Sequence, residues 1–142
     1  MANVEDADAL AELVTWLKAH PEVQAAYGGP EHITGLVEAP WPHLRVHPTP
    51  GIWTGDLRWL IRSEITLEAV GHPDGRPGQA ELRRLLLLAA RCARELVDRD
   101  VTPTQTVITE IDTSASLTWS PLPGGQPRWV LALKTGAHPA PQ

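Results

Sequence analysis

A chain of 142 residues carrying 12 Lys and Arg against 17 Asp and Glu is the size of one ordinary domain, able to bury roughly two-thirds of its unfolded surface in a single core. Its net charge of −5 argues against general affinity for nucleic acid, which clustered basic side chains provide by releasing counterions. The longest purely apolar run, Leu85 to Ala90, is far too short to span a bilayer, and the acidic start MANVEDADAL lacks the basic and apolar segments of a signal peptide, so a soluble protein made in a cytoplasm is expected.

In chain order, Asp6 or Asp8 can cap a first helix in which Leu10, Leu13, Val14 and Leu17 share a face, with Trp16 flanking it as a partly buried packing residue. That helix is expected to end near His20. Pro21 suits the first turn of a second, short helix to Tyr27, closed by Gly28 and Gly29. From Glu31 the texture changes to short β-like runs divided by proline. Ile33 to Glu38 and Leu44 to His47 are expected strands, confined to edges by Pro40, Pro42, Pro48 and Pro50. The segment PTPGIWTGD, from Pro48 to Asp56, reads as a stiff contact-bearing loop around Trp53. A long half-buried strand over Leu57 to Val70 follows, with Trp59, Ile61, Ile65, Leu67 and Ala69 alternating with Arg58, Arg62, Glu64, Thr66 and Glu68.

GHPDGRPGQ then turns the chain into its dominant element, the helix Gln79 to Arg99. At 100° per residue, Leu82, Leu85, Leu86, Ala89, Cys92, Ala93, Leu96 and Val97 form one apolar face. Leu87 falls among Arg83, Arg94 and Asp98, and Leu88 between Glu81 and Glu95, so two leucines interrupt a face that ought to be solvated. Arg83, Arg84, Arg91, Arg94 and Arg99 alternate with Glu81, Glu95, Asp98 and Asp100, the pattern of a salt-bridged surface rather than a DNA-reading helix. After Pro103, Thr106 to Ser120 alternates with Val107, Ile111, Ala115, Leu117 and Trp119 on one side. PLPGGQP joins it to a last strand, Arg128 to Lys134, as a hairpin. The order predicts an α+β domain over residues 1–135, a mostly antiparallel sheet with two main helices on one face, and a mobile tail over 136–142.

The chemistry-bearing residues give no catalytic, cofactor or metal site. His43 and His47 are spaced like a ligand pair, but on a strand they stand roughly 13 Å apart. Cys92, the only cysteine, cannot form an intrachain disulfide and is expected to fill core. No nucleophile elbow, zinc helix or phosphate loop is present in the sequence. Glu64, Glu68, Glu110 and Asp112 read as a solvated sheet face.

One resemblance fits these elements. An N-terminal helix followed by PEVQAAYGG, the strand and Pro-Gly stretch PHLRVHPTPG, the arginine-bearing LRWLIRSEITLEAVGHP running into an Ala/Leu/Arg helix, and a closing hairpin together resemble the tail terminator, or tail completion, proteins of long-tailed bacteriophages. The resemblance covers nearly the whole chain. It implies a structural virion protein of the tail neck and no enzyme. Its subunits would form a homo-oligomeric ring, six-membered in the family, on the end of the tail tube. The partners would be the tail tube protein on one side and the head–tail connector protein on the other, with DNA passing the lumen unbound and no membrane contact. Trp41, Trp53, Leu87 and Leu88 supply the surplus apolar surface that such a ring requires. The alternatives are another neck adaptor protein, or a small metabolite enzyme using strand carboxylates.

Overall fold

The computed structural model describes residues 6–54, 60–101, 105–114 and 116–140, with backbone alone over 50–54. Helix α1, Ala9–Ala19, begins where Asp8 accepts a hydrogen bond from the Ala11 N–H, and α2, Pro21–Tyr27, begins on His20. Gly28 closes α2 with φ of 113°, a left-handed conformation in which an added Cβ would also meet the His32 ring at 2.8 Å. Helix α3 spans Gln79–Arg94 and tightens into a 3₁₀ turn over Glu95–Asp98. The expected helix to Arg99 is therefore present, with its last turn overwound.

Six strands follow the order β1-β2-β3-β6-β4, with β5 beside β6. They are β1 (Ile33–Thr34), β2 (His43–Thr54), β3 (Ile61–Val70), β4 (Thr106–Thr113), β5 (Thr118–Trp119) and β6 (Arg128–Pro139). Only β1 and β2 run parallel; every other pairing is antiparallel. The fold is the α+β arrangement expected, with the helices packed against the sheet and α3 lying over β3, β6 and β4. Leu13, Leu17, Leu82, Leu86 and Leu96 from the helices meet Leu44, Ile65, Leu67 and Leu133 from the strands in one core. Among the described residues no helix is long and apolar enough to cross a membrane.

Several expectations give way to local geometry. The segment from Pro48 is strand rather than loop: β2 continues to Thr54, and Trp53 lies opposite Ser63. Pro48 faces Ile65, so the strand bulges between Pro48 and Trp53 and accommodates prolines that cannot donate to the ladder. The Trp53 side chain, and Leu57, Arg58 and Trp59 at the expected start of β3, lie outside the described residues, as does Ala115. Of the expected strand Ile33 to Glu38, only two residues pair, and 35–42 forms a loop.

In β4, Ile108 faces Ala137 and Glu110 faces Gly136, so Thr109 is the extra residue of a bulge. The bulge reverses the side-chain alternation. Ile108 and Ile111 are buried, and Val107, expected on the core face, is only half-buried. Gly136 is required there, because a Cβ would meet Thr109 Oγ1 at 2.8 Å and Glu110 Cγ at 3.0 Å. The same pairing corrects the domain boundary at 135. Residues 136–139 belong to β6, held between β3 and β4, and the Ala140 N–H donates to the Gln105 carbonyl at 3.1 Å. Small residues pass between two strands at that point, so low apolar content there marks close packing rather than a tail.

The hairpin connection forms as expected, with Gly124 and Gly125 at φ of 93° and 90° and the Leu122 N–H bonded to Gln126 O at 2.9 Å. Trp119 and Trp129 pair across it with ring centroids 5.2 Å apart. Leu86 and Leu96 are fully buried, whereas Leu87 is 38% exposed. Leu86→Ala and Leu96→Ala are expected to cost about 2 to 5 kcal/mol, and Leu87→Ala under about 1 kcal/mol, by urea or thermal unfolding. Equal losses at all three positions would place Leu87 in the core.

Candidate functional site

Among the described residues, exposed large apolar side chains stand on α3, on the loop 35–42 and at Val101 beyond α3. On α3, Leu87 projects beside Arg83, Arg84 and Arg91, which are themselves exposed. Leu88 does not share that surface: it is half-buried and packed against the core, because the helix presents a broader face to the sheet than a two-per-heptad stripe. The second surface is the loop 35–42, where Leu36 is 61% and Val37 36% exposed. Trp41 lies in the same loop, half-buried, its ring edge-on to His43 at 6.3 Å between centroids. Sequence reading found Trp41 but assigned Leu36 and Val37 to a strand. The available signal was the run of Gly and Pro around them, which leaves consecutive apolar residues without a pairing partner.

That loop is anchored by buried histidines. His32 Nδ1 meets the Pro42 carbonyl at 2.8 Å, and His43 Nδ1 meets the Pro40 carbonyl at 3.3 Å. Those carbonyl contacts make each Nδ1 the donor. The Nε2 of His43 lies 2.8 Å from the Thr34 hydroxyl, which itself donates to Glu38 Oε1 at 2.9 Å. Burial, the main cause, holds the pKa of His43 below its ordinary 6.5.

The outer face of the sheet carries a charged cluster where a solvated face was expected. Glu68 is the correction: its side chain is only 3% exposed. Its Oε1 accepts from Arg128 Nη1 at 2.7 Å, and its Oε2 from Arg45 Nη1 at 3.0 Å. His47 Nε2 lies 2.6 Å from Oε2, without the alignment of a hydrogen bond. The strand register explains the meeting, since Arg45 of β2 faces Glu68 of β3, which faces Val130 of β6 two residues from Arg128. Arg45, His47, Thr66, Glu68, Thr118, Ser120, Arg128 and Val130 line a cleft of about 390 Å³. Glu64 accepts from Ser114 at 2.9 Å, while Glu110 and Asp112 pair more loosely with Arg62 and Arg94 at 3.4 and 3.9 Å.

A third group, His20, Cys92 and Glu95, brings donor atoms within 4.8 Å of one another. Its hydrogen bonds account for it differently. His20 Nδ1 accepts the Glu22 N–H at 3.2 Å, so Nε2 carries the proton and donates to Glu95 Oε2 at 2.7 Å. A metal-bound imidazole has the opposite arrangement, its second nitrogen donating to an acceptor. Burial pushes the Cys92 thiol up to about 11, away from a thiolate. The trio is a helix cap and a bridge from α2 to the end of α3, reinforced by the hydrogen bond from Arg91 to Glu22, which lowers the Glu22 pKa.

Comparison with models of known protein families gives no match, and comparison with curated proteins gives none either.

The burial that lowers the His43 pKa makes its contribution pH-dependent in a defined direction. A histidine with a depressed folded pKa stabilises fully above 6.5 and loses that contribution as pH falls below it. The unfolding midpoint is expected to decline below that pH, and His43→Gln to flatten the decline. An unchanged slope in His43→Gln would assign the decline to other groups.

Proposed function

We propose that this protein is a structural subunit of a phage tail, forming a ring, most simply a hexamer, that caps the tail tube and offers its other side to the head–tail connector. The reading rests on the resemblance in element order along nearly the whole chain. The single structural observation that supports it best is Leu87, 38% exposed amid the arginines of α3. A large apolar side chain in the middle of a salt-bridged helix face is surface that a neighbour can cover. Against a neighbouring subunit it would be buried, adding the favourable transfer of its surface from water. Leu36, Val37 and Trp41, on the loop at the β1–β2 edge, supply a second surface of different shape. A ring built by rotation uses two unlike surfaces per subunit, one on each side of the contact.

Acidic character suits the lumen role, because like charge keeps a passing genome from adhering. In this reading the chain is no enzyme, and it works in the virion neck after synthesis in the host cytoplasm. The carboxylate most enclosed by the sheet, Glu68, has both oxygens taken by arginine donors, which leaves it poorly placed for acid–base work on a metabolite.

Leu87→Asp tests the interface. It would bury an unpaired carboxylate in the contact, which is strongly unfavourable, while costing the isolated fold only about 1 kcal/mol. The expected outcome is a folded subunit that gives no rings by native mass spectrometry and no completed tails by electron microscopy. Normal tails assembled with Leu87→Asp would remove α3 from the interface.

A further inference from the structure

We infer that the cleft around Glu68 is a binding site for a single oxyanion, a phosphate or a carboxylate, held between Arg45 and Arg128. Local charge is the first reason. Among the described residues Arg62, Arg76, Arg84, Arg94 and Arg99 each face a carboxylate that no other arginine contacts. At the cleft two guanidiniums share the one carboxylate of Glu68, so among the described residues the site carries a surplus positive charge. The surplus cannot be met by the cleft's other members, which are hydroxyls and one valine.

Donor supply is the second reason. Arg45 uses Nε on the Gly35 carbonyl at 3.1 Å and Nη1 on Glu68, and among the described residues its Nη2 donates nothing. Arg128 is fixed at all three nitrogens, by the Ser120 carbonyl at 2.8 Å, Ser120 Oγ at 3.1 Å and Glu68. Nε2 of His47 is buried there, 2.6 Å from Glu68 Oε2 without the alignment of a hydrogen bond. Guanidiniums held in place by a buried acid are preorganised forks for a planar or tetrahedral oxyanion, and they lose little freedom on binding it. Arg45 and Arg128 remain 30% and 21% exposed, so the anion has access.

Glu68 occupies the same donors that the anion would share, which gives the site a signature that a purely structural ion pair lacks. Weakening Glu68 should strengthen the anion's hold, whereas removing Arg45 should weaken it. The experiment follows the Nε–H resonances of the arginines by NMR during titration with sodium phosphate or sodium acetate, with chloride holding ionic strength constant.

In the wild type, saturable shifts are expected at Arg45 and Arg128 and none at the exposed Arg83 and Arg84. Arg45→Gln, which leaves Glu68 paired with Arg128, should raise the apparent Kd by about tenfold or more, the range of a charge-assisted hydrogen bond. Glu68→Gln should lower it, and phosphate should raise that variant's thermal midpoint more than the wild type's. If Glu68→Gln does not fold, the Arg45→Gln comparison decides alone. Saturation by phosphate only marks a phosphate site, and saturation by acetate marks a socket for an acidic side chain or chain end. Shifts at Arg45 and Arg128 no larger than at Arg83 and Arg84 with both anions would overturn the proposal.

Discussion

The burial of the apolar face of α3 against β3 and β6 is the contact on which the rest of the molecule depends. Leu82, Leu85, Leu86, Ala89 and Ala93 share one core with Ile65, Leu67, Leu131 and Leu133 of the strands. Those strand residues come from the longest pairing in the sheet, ten residues of β3 against ten of β6. The remaining elements are placed relative to that pair. β2 joins β3 and β4 joins β6 on the outer sides, and α1 and α2 close the open flank of α3. Trp16 fastens α1 to α3, with its indole N–H on the Cys92 carbonyl at 2.8 Å. Trp129 ties β6 to the start of α3 through the Gln79 carbonyl, also at 2.8 Å.

A strand pressed by helices on one side would ordinarily face water on the other. β3 does not. From Ile65 to Val70 every residue is buried: on the outer side Thr49 lies against Thr66, their hydroxyls 2.6 Å apart, and Arg45 and Arg128 close over Glu68 from the flanking strands. Glu68 is thus enclosed, and an enclosed carboxylate is tolerable only with partners that neutralise it. Arg45 and Arg128 fill that role at some cost in desolvation, and they leave the outer face with fixed positive charge in a chain that is acidic as a whole.

Periodicity revealed the layers and missed the covers. The α3 face was legible because seven of its eight expected residues are buried and the eighth, Val97, packs beside them. The hairpin and the Pro21 helix were legible because Gly and Pro act locally. Glu68 was not: alternation says which way a side chain points, and not whether another segment closes over it. Arg45 and Arg128 lie 23 and 60 residues from Glu68 in sequence, so only strand register brings them together. Bulges misled for the same reason. One extra residue at Thr109 exchanges the faces of Val107 and Ile108, and nothing in the local composition announces it. Among the apolar candidates, Leu87 was legible from the wheel. Leu88 was misplaced because the wheel gives no measure of how far the sheet wraps the helix.

The sheet's own edges narrow how copies of such a subunit would meet. At β4 the first residue, Thr106, has its N–H bonded to Glu12 Oε1 at 3.1 Å and its carbonyl to Arg99 Nη2 at 2.8 Å, with Arg99 paired in turn to Glu12 at 2.9 Å. Side chains from α1 and from the end of α3 thus occupy backbone groups that an incoming strand would need. At the opposite edge, β1 covers only Leu44 and Arg45 of β2, and beyond them Pro48 and Pro50 have no N–H to offer. Strand addition is discouraged at the start of β4 and along the prolines of β2. A ring of these subunits would then rest on side-chain surfaces, Leu87 on α3 and the Leu36–Val37 loop at the β1–β2 edge. In the proposed ring such contacts would be small, and small contacts close stably only when several form at once, as a tube end presenting all the positions together would allow.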